Sequence, residues 1–224
     1  MLDTTNKLFL TEKEESGKKK LKIIVNRETR WKYFFISFIF AFGFNTVKNF
    51  IHELSHAVII LLSGGRIDSM SFSFDHGYVR WVENSVPVDS IAIVYIAGII
   101  GEFIFIYLPG FLIFKHNHAN AFVALIGYWL MLPCLLSLFY WCGGSFYAEF
   151  QYFDPIGFSN YTGIPRVLIG LTMLAPLLAG IWFAIRCTRI LRKDHVYDPY
   201  NFNARTVISL FFLILLLVKI FIKI

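Results

Sequence analysis

The 224-residue chain is 57% hydrophobic and 18% aromatic but only 16% charged, too little polar surface for a soluble domain of this size, so the excess apolar side chains must face lipid. Its net charge of +6 gathers in the N-terminal tail and in the stretch from Arg186 to Arg205, beside apolar segments; that distribution suits anionic lipid headgroups and gives no sign of nucleic-acid binding. Three cysteines, Cys134, Cys142 and Cys187, lie in or beside apolar segments without CxxC spacing and read as small packing residues.

Residues 1–30 are lysine-rich and mixed in charge, unlike a cleavable signal peptide, and read as a flexible, solvated arm. The rest, 31–224, reads as a single membrane domain. A first apolar stretch covers 31–62; at 1.5 Å per residue it is roughly 45 Å long, more than the hydrocarbon core, with a bend expected at Gly43–Asn45. Gly64 and Gly65 stop it. Two β-prone runs, Met70–Phe74 and Tyr78–Val82, flank Asp75-His76-Gly77 and predict a hairpin over 69–83. Further spans are expected at 88–114, with Pro109-Gly110 near its end, at 119–142, kinked at Pro133, at 165–186 and at 206–224. Between the third and fourth lies a Gly-rich aromatic loop, 143–163, without Lys or Arg. The expected fold class is therefore an all-α polytopic membrane bundle of about five transmembrane helices, with a small β-hairpin after the first.

Five crossings put the tail, the 115–118 turn and the Arg186–Arg205 connection on one side. They carry most of the basic residues, so the positive-inside rule places that side, tail included, in the cytoplasm. The hairpin and the 143–163 loop then share the opposite face.

The string His52-Glu53-Leu54-Ser55-His56 carries the chemistry. Histidines four residues apart on a helix project from nearly the same face and can reach one ion. Zn²⁺ accepts neutral imidazole nitrogen, and one zinc ion per chain is expected. Glu53, one residue on, is rotated by about 100° and borders the site, where it can take a proton from the attacking water and return it to the leaving amine. Asn45, Asn49, His52, Glu53 and His56 form a polar stripe that must face the bundle interior or a watery cavity. As polar glue between helices, the same stripe would need no metal. Ser55 reads as a packing residue. His76, His116, His118 and His195 read as solvated, while Arg80 and Trp81 suit contact with substrate backbone or with lipid.

With HELSHAVIILLSGG in an apolar span, a hairpin after it, and AGIIGEF at Ala97–Phe103, the chain resembles the site-2 protease family of intramembrane zinc metallopeptidases over roughly residues 45–165. Ile99 stands where the family commonly has Pro, and Glu102 where it often has Asn. Glu102 then reads either as a partner of a ligating histidine, a role Asn49 can also fill, or as a protonated packing residue. The resemblance implies an Asp as third ligand near the start of a later helix. Here Phe153-Asp154-Pro155-Ile156-Gly157 offers Asp154, with Glu149 as rival, while Asp-Pro is also an ordinary turn former. It further implies a site opening toward the cytosol, which the charge distribution opposes.

The resemblance implies an intramembrane zinc endopeptidase acting on membrane-protein substrates. A non-catalytic zinc-binding scaffold or partner-binding protein is the alternative, and an ion carrier using Glu102 and the histidines is a third reading.

Overall fold

The structure is a computed structural model and describes residues 10–15, 18–23, 27–74, 76–117, 121–146 and 153–195. The expected last span (206–224), the rival ligand Glu149, Asp75 and His118 lie outside them. The chain divides into two compact units, one of Phe40–Cys187 and one of Met1–Ile39 with Thr188–Ile224.

In the second of these, β1 (Leu10–Glu15) pairs antiparallel with β2 (Lys18–Ile23). In the backbone register Glu14 falls opposite Lys19 and Glu15 opposite Lys18, within the stretch the sequence reads as a flexible, solvated arm.

α1 (Arg27–Leu62) is a single 36-residue helix, starting earlier than expected and running through Gly43–Asn45 as one element. Helical structure continues through Gly43–Asn45, and Thr46 donates its hydroxyl to Phe42 O within it. Gly64, at φ +79°, ends the helix, and Gly65 N–H closes on Ile60 O.

α1 is inverted relative to a soluble amphipathic helix. Asn45, Lys48, Asn49, Glu53 and His56 are buried, whereas Phe50, Leu54, Val58 and Leu61 are exposed. That arrangement suits an apolar surrounding.

The hairpin is confirmed, as β3 (Ile67–Phe72) and β4 (Gly77–Trp81), antiparallel with Met70 opposite Val79 and a bulge between Ile67 and Ser69. Ile67, Val79 and Trp81 pack on a core of Ile60, Val86, Ile91 and Val94, tying the hairpin to the end of α1 and to α2. Its turn is clamped onto α1 at the other end. Asn45 Nδ2 donates to Phe74 O, and Asn49 Nδ2 donates to Ser73 O at 2.8 Å. Phe42 meets Phe74 and Phe50 meets Phe72, with ring centroids 5.2 and 4.8 Å apart.

The second span is helical from Val88 to Asn117. It comprises α2 (Val88–Glu102), a π turn (Phe103–Tyr107) and α3 (Leu108–Asn117). Pro109 has no N–H to offer the preceding turn, which widens there; Leu108 N–H bonds Phe103 O. α4 (Ala121–Gly144) runs through Pro133 as one element and crosses α3 where Gly110 and Gly127 let the backbones meet; a Cβ at either would lie within 2.8 Å of the other's carbonyl. The 143–163 segment, expected to be a loop, contains α5 (Asp154–Thr162), because Pro155 presets the first turn and Gly163 in the left-handed region ends it. α6 (Arg166–His195) extends well beyond the expected 186.

Among the described residues, three helices are long and apolar enough to cross a membrane: Val88–Asn117, Val123–Gly144 and Arg166–Ile190. Of their most apolar windows 72% is buried for the second and 22% for the third, so α4 is the inner helix and α6 the exposed one.

Replacing both Asn45 and Asn49 with Ala removes the turn clamp, at about 1 kcal/mol per hydrogen bond, and is expected to speed amide exchange over 67–81 roughly thirtyfold while α4 is unaffected. Unchanged exchange in the hairpin would show that the apolar core alone holds it.

Candidate metal centre

The HELSH turn of α1, the middle of α2 and the first residue of α5 converge. His52, His56 and Asp154 each offer one donor atom, all within 4.8 Å of one another. His52 Nε2 lies 3.0 Å and His56 Nε2 3.3 Å from Asp154 Oδ2. The rings are 4.7 Å apart at 73° and aim their Nε2 atoms at the same carboxylate oxygen.

The far side of each ring is pinned. His56 Nδ1 is 2.6 Å from Val94 O, and His52 Nδ1 is 2.6 Å from Glu102 Oε1. A backbone carbonyl can only accept, so His56 Nδ1 carries its proton and a neutral ring leaves Nε2 as a lone pair. Glu102 Oε1 already accepts from Ser137 Oγ at 2.8 Å, so it takes His52 Nδ1–H in the same way. Two imidazole lone pairs and a carboxylate oxygen therefore face one another, an arrangement that calls for a cation between them.

The spacing fits such an ion. Zinc bonds of about 2.0–2.2 Å in a tetrahedral shell put donors about 3.3–3.5 Å apart, and small outward shifts from the distances above reach that range. Space is kept clear as well: a Cβ on Gly98 would sit 2.5 Å from both His52 Nε2 and His56 Nε2. This group could hold a metal ion, and two imidazoles with one carboxylate suit a divalent transition metal.

Asp154 opens α5, where the helix's positive end favours a carboxylate.

Glu53 is buried beside the ligands, with Gly77 of β4 against it; a Cβ there would lie 2.5 Å from Glu53 Cγ. Glu102, 0% exposed, takes the role of histidine partner. Asn49 Nδ2 donates to Ser73 O at the hairpin turn.

Ser55 is a packing residue, its hydroxyl bonded to Ile51 O at 2.7 Å and seated against Gly101. His76 and His116 are exposed, His76 beside Ser73, and Arg80 lies over the Tyr78 ring. Cys134 and Cys187 are buried free thiols, and Cys142 is half-buried.

Sequence reasoning missed two contributors. The Val94 carbonyl has no side-chain signature. Lys48, a charged residue within an apolar stretch, reaches this network through Ser137 Oγ at 3.2 Å.

Gly98→Ala is expected to abolish stoichiometric metal uptake, whereas Gly143→Ala, with nothing within 4 Å of the added methyl, retains it. Metal analysis of the two purified variants checks this; full uptake by Gly98→Ala would place the ion elsewhere. Comparison with protein-family models, with curated proteins and with solved structures found no match to this chain.

Proposed function

We propose that this chain is a membrane-embedded zinc endopeptidase that hydrolyses peptide bonds of membrane-protein substrates. In this reading His52, His56 and Asp154 hold one zinc ion per chain, and Glu53 is the proton-transfer residue. The observation that carries it is the convergence of two tautomer-fixed imidazoles and a carboxylate next to a buried glutamate one residue along from the first ligand. A zinc ion bound there would polarise a scissile carbonyl and acidify water.

Glu53 then accepts the proton of the attacking water and returns it to the leaving amine. Its burial between α1 and β4 keeps bulk water from competing for that proton. A substrate helix must first unwind, since its amides are internally bonded. Among the described residues β3 and β4 pair only with each other; an extended segment added along β4 would pass Gly77, which adjoins Glu53.

In the same proposal α1 crosses the bilayer with its polar stripe turned inward, alongside the three apolar helices, and 206–224 supplies a fifth crossing. The N-terminal tail then lies in the cytoplasm, and the hairpin and α5 lie near the opposite face.

Glu53→Gln is expected to keep zinc at full stoichiometry while cleavage of a membrane-spanning reporter falls roughly 10²–10⁴-fold. His56→Ala and Asp154→Ala are expected to lose the metal and the activity together. Zinc-loaded Glu53→Gln that cleaves as well as the native chain would remove Glu53 from its role. A zinc-loaded native chain that cleaves nothing would leave the scaffold reading in its place.

A further inference from the structure

Three buried polar groups behind His52 remain outside the mechanism just given. Lys48 is 6% exposed, Ser137 is 4% exposed and Glu102 is fully enclosed, on α1, α4 and α2 respectively. Lys48 Nζ donates to Ser137 Oγ at 3.2 Å, Ser137 Oγ donates to Glu102 Oε1 at 2.8 Å, and Lys48 Nζ lies 3.8 Å from that same oxygen. His52 Nδ1 reaches it from the other side at 2.6 Å. One carboxylate oxygen thus gathers a hydroxyl, an ammonium and a ligand's N–H. Glu102 Oε2 has no hydrogen-bond partner among the described residues.

A lysine in an apolar span ordinarily extends to the interface, where its ammonium stays hydrated. Lys48 instead turns inward and lies along the α1 face that carries His52, one helical turn on. Its partner, Glu102, has its carboxylate in contact with the candidate ligand. Removing either charge from such a pair leaves the other buried and uncompensated; removing both does not.

Resting on the metal-site part of the function proposed above, we infer that Lys48 and Glu102 act as one electrostatic unit of the metal centre. Lys48 is a positioning residue. Its ammonium, with the Ser137 hydroxyl, holds Glu102 against His52 Nδ1 and balances the carboxylate's charge. Glu102 in turn keeps His52 in the Nδ1–H tautomer with Nε2 directed at the ion. With those two charges cancelled, Asp154 alone sets the anionic charge that the three ligands present to the cation.

The unit has a consequence that ordinary packing lacks: one variant should rescue the other. Glu102→Gln removes the charged acceptor on His52 and leaves the Lys48 ammonium facing the cation, so zinc affinity should fall at least about tenfold. Adding Lys48→Met to Glu102→Gln removes that repulsion and should recover about fivefold or more of the loss, together with thermal stability of the metal-free protein. Lys48→Arg, which keeps the cation, should stay within about twofold of the native affinity and leave the visible absorption of the Co²⁺-loaded protein unchanged, whereas Glu102→Gln should shift that band.

The measurement is competition for zinc against a chromophoric chelator, on the full chain in detergent micelles, with thermal unfolding in parallel. Losses that simply multiply in the double variant, or native affinity in Glu102→Gln, would overturn the coupling while leaving the metal site in place. A native chain that takes up no zinc would overturn both.

Discussion

Polar side chains on the inner face of α1 must find partners away from water, and the neighbouring elements are placed by the partners they supply. Asn45 and Asn49 draw in the hairpin turn through two backbone carbonyls. His56 takes its acceptor from the backbone of α2, and His52 takes its acceptor from Glu102 at the end of that helix. Lys48 reaches α4 through Ser137, and α5 arrives with Asp154 in front of both imidazoles. An unpaired polar group in an apolar interior costs several times what a made hydrogen bond contributes, so this inward stripe fixes the assembly more tightly than the apolar contacts around it.

The glycines of α2 do the complementary work. Gly98 leaves room at the tips of the two imidazoles, and Gly101 admits the Ser55 hydroxyl. With side chains there, α1 and α2 could not approach closely enough for Val94 O and Glu102 to reach the histidines. The carbonyl and the carboxylate that orient the ligands therefore depend on two residues with no functional group of their own.

Much of the centre was legible because it lies on one helix. The i, i+4 spacing of His52 and His56 fixes a shared face whatever surrounds it, and the hairpin follows from two β-prone runs about a turn. Asp154 was identifiable through the resemblance, which implies an aspartate near the start of a later helix, with Glu149 left as its rival. What was not legible depends on partners from distant sequence. Asn49 shares the stripe with His52, and the acceptor of its amide is a hairpin carbonyl. α5 was read as loop since Gly, Pro and aromatic residues suggest turns, although Pro155 and Gly163 sit at the two positions where a short helix welcomes them. Lys48 could not be assigned without knowing that Glu102 and Ser137 would come to meet it.

The widened turn at Phe103–Tyr107 has a further effect, on rotational phase. Eight residues of regular helix separate Glu102 from Gly110 by about 80° around the axis; accommodating one extra residue in the turn cuts that to about 20°. Both positions consequently look onto α4, one toward Ser137 and the other toward Gly127. Deleting a single residue within 103–107 would close the turn into ordinary α-helix and keep this phase, seven regular residues again bringing the two positions to within about 20°. Straightening the turn with every residue kept would instead restore the 80° separation, swinging the carboxylate roughly 100° away from its serine without touching His52, His56 or Asp154.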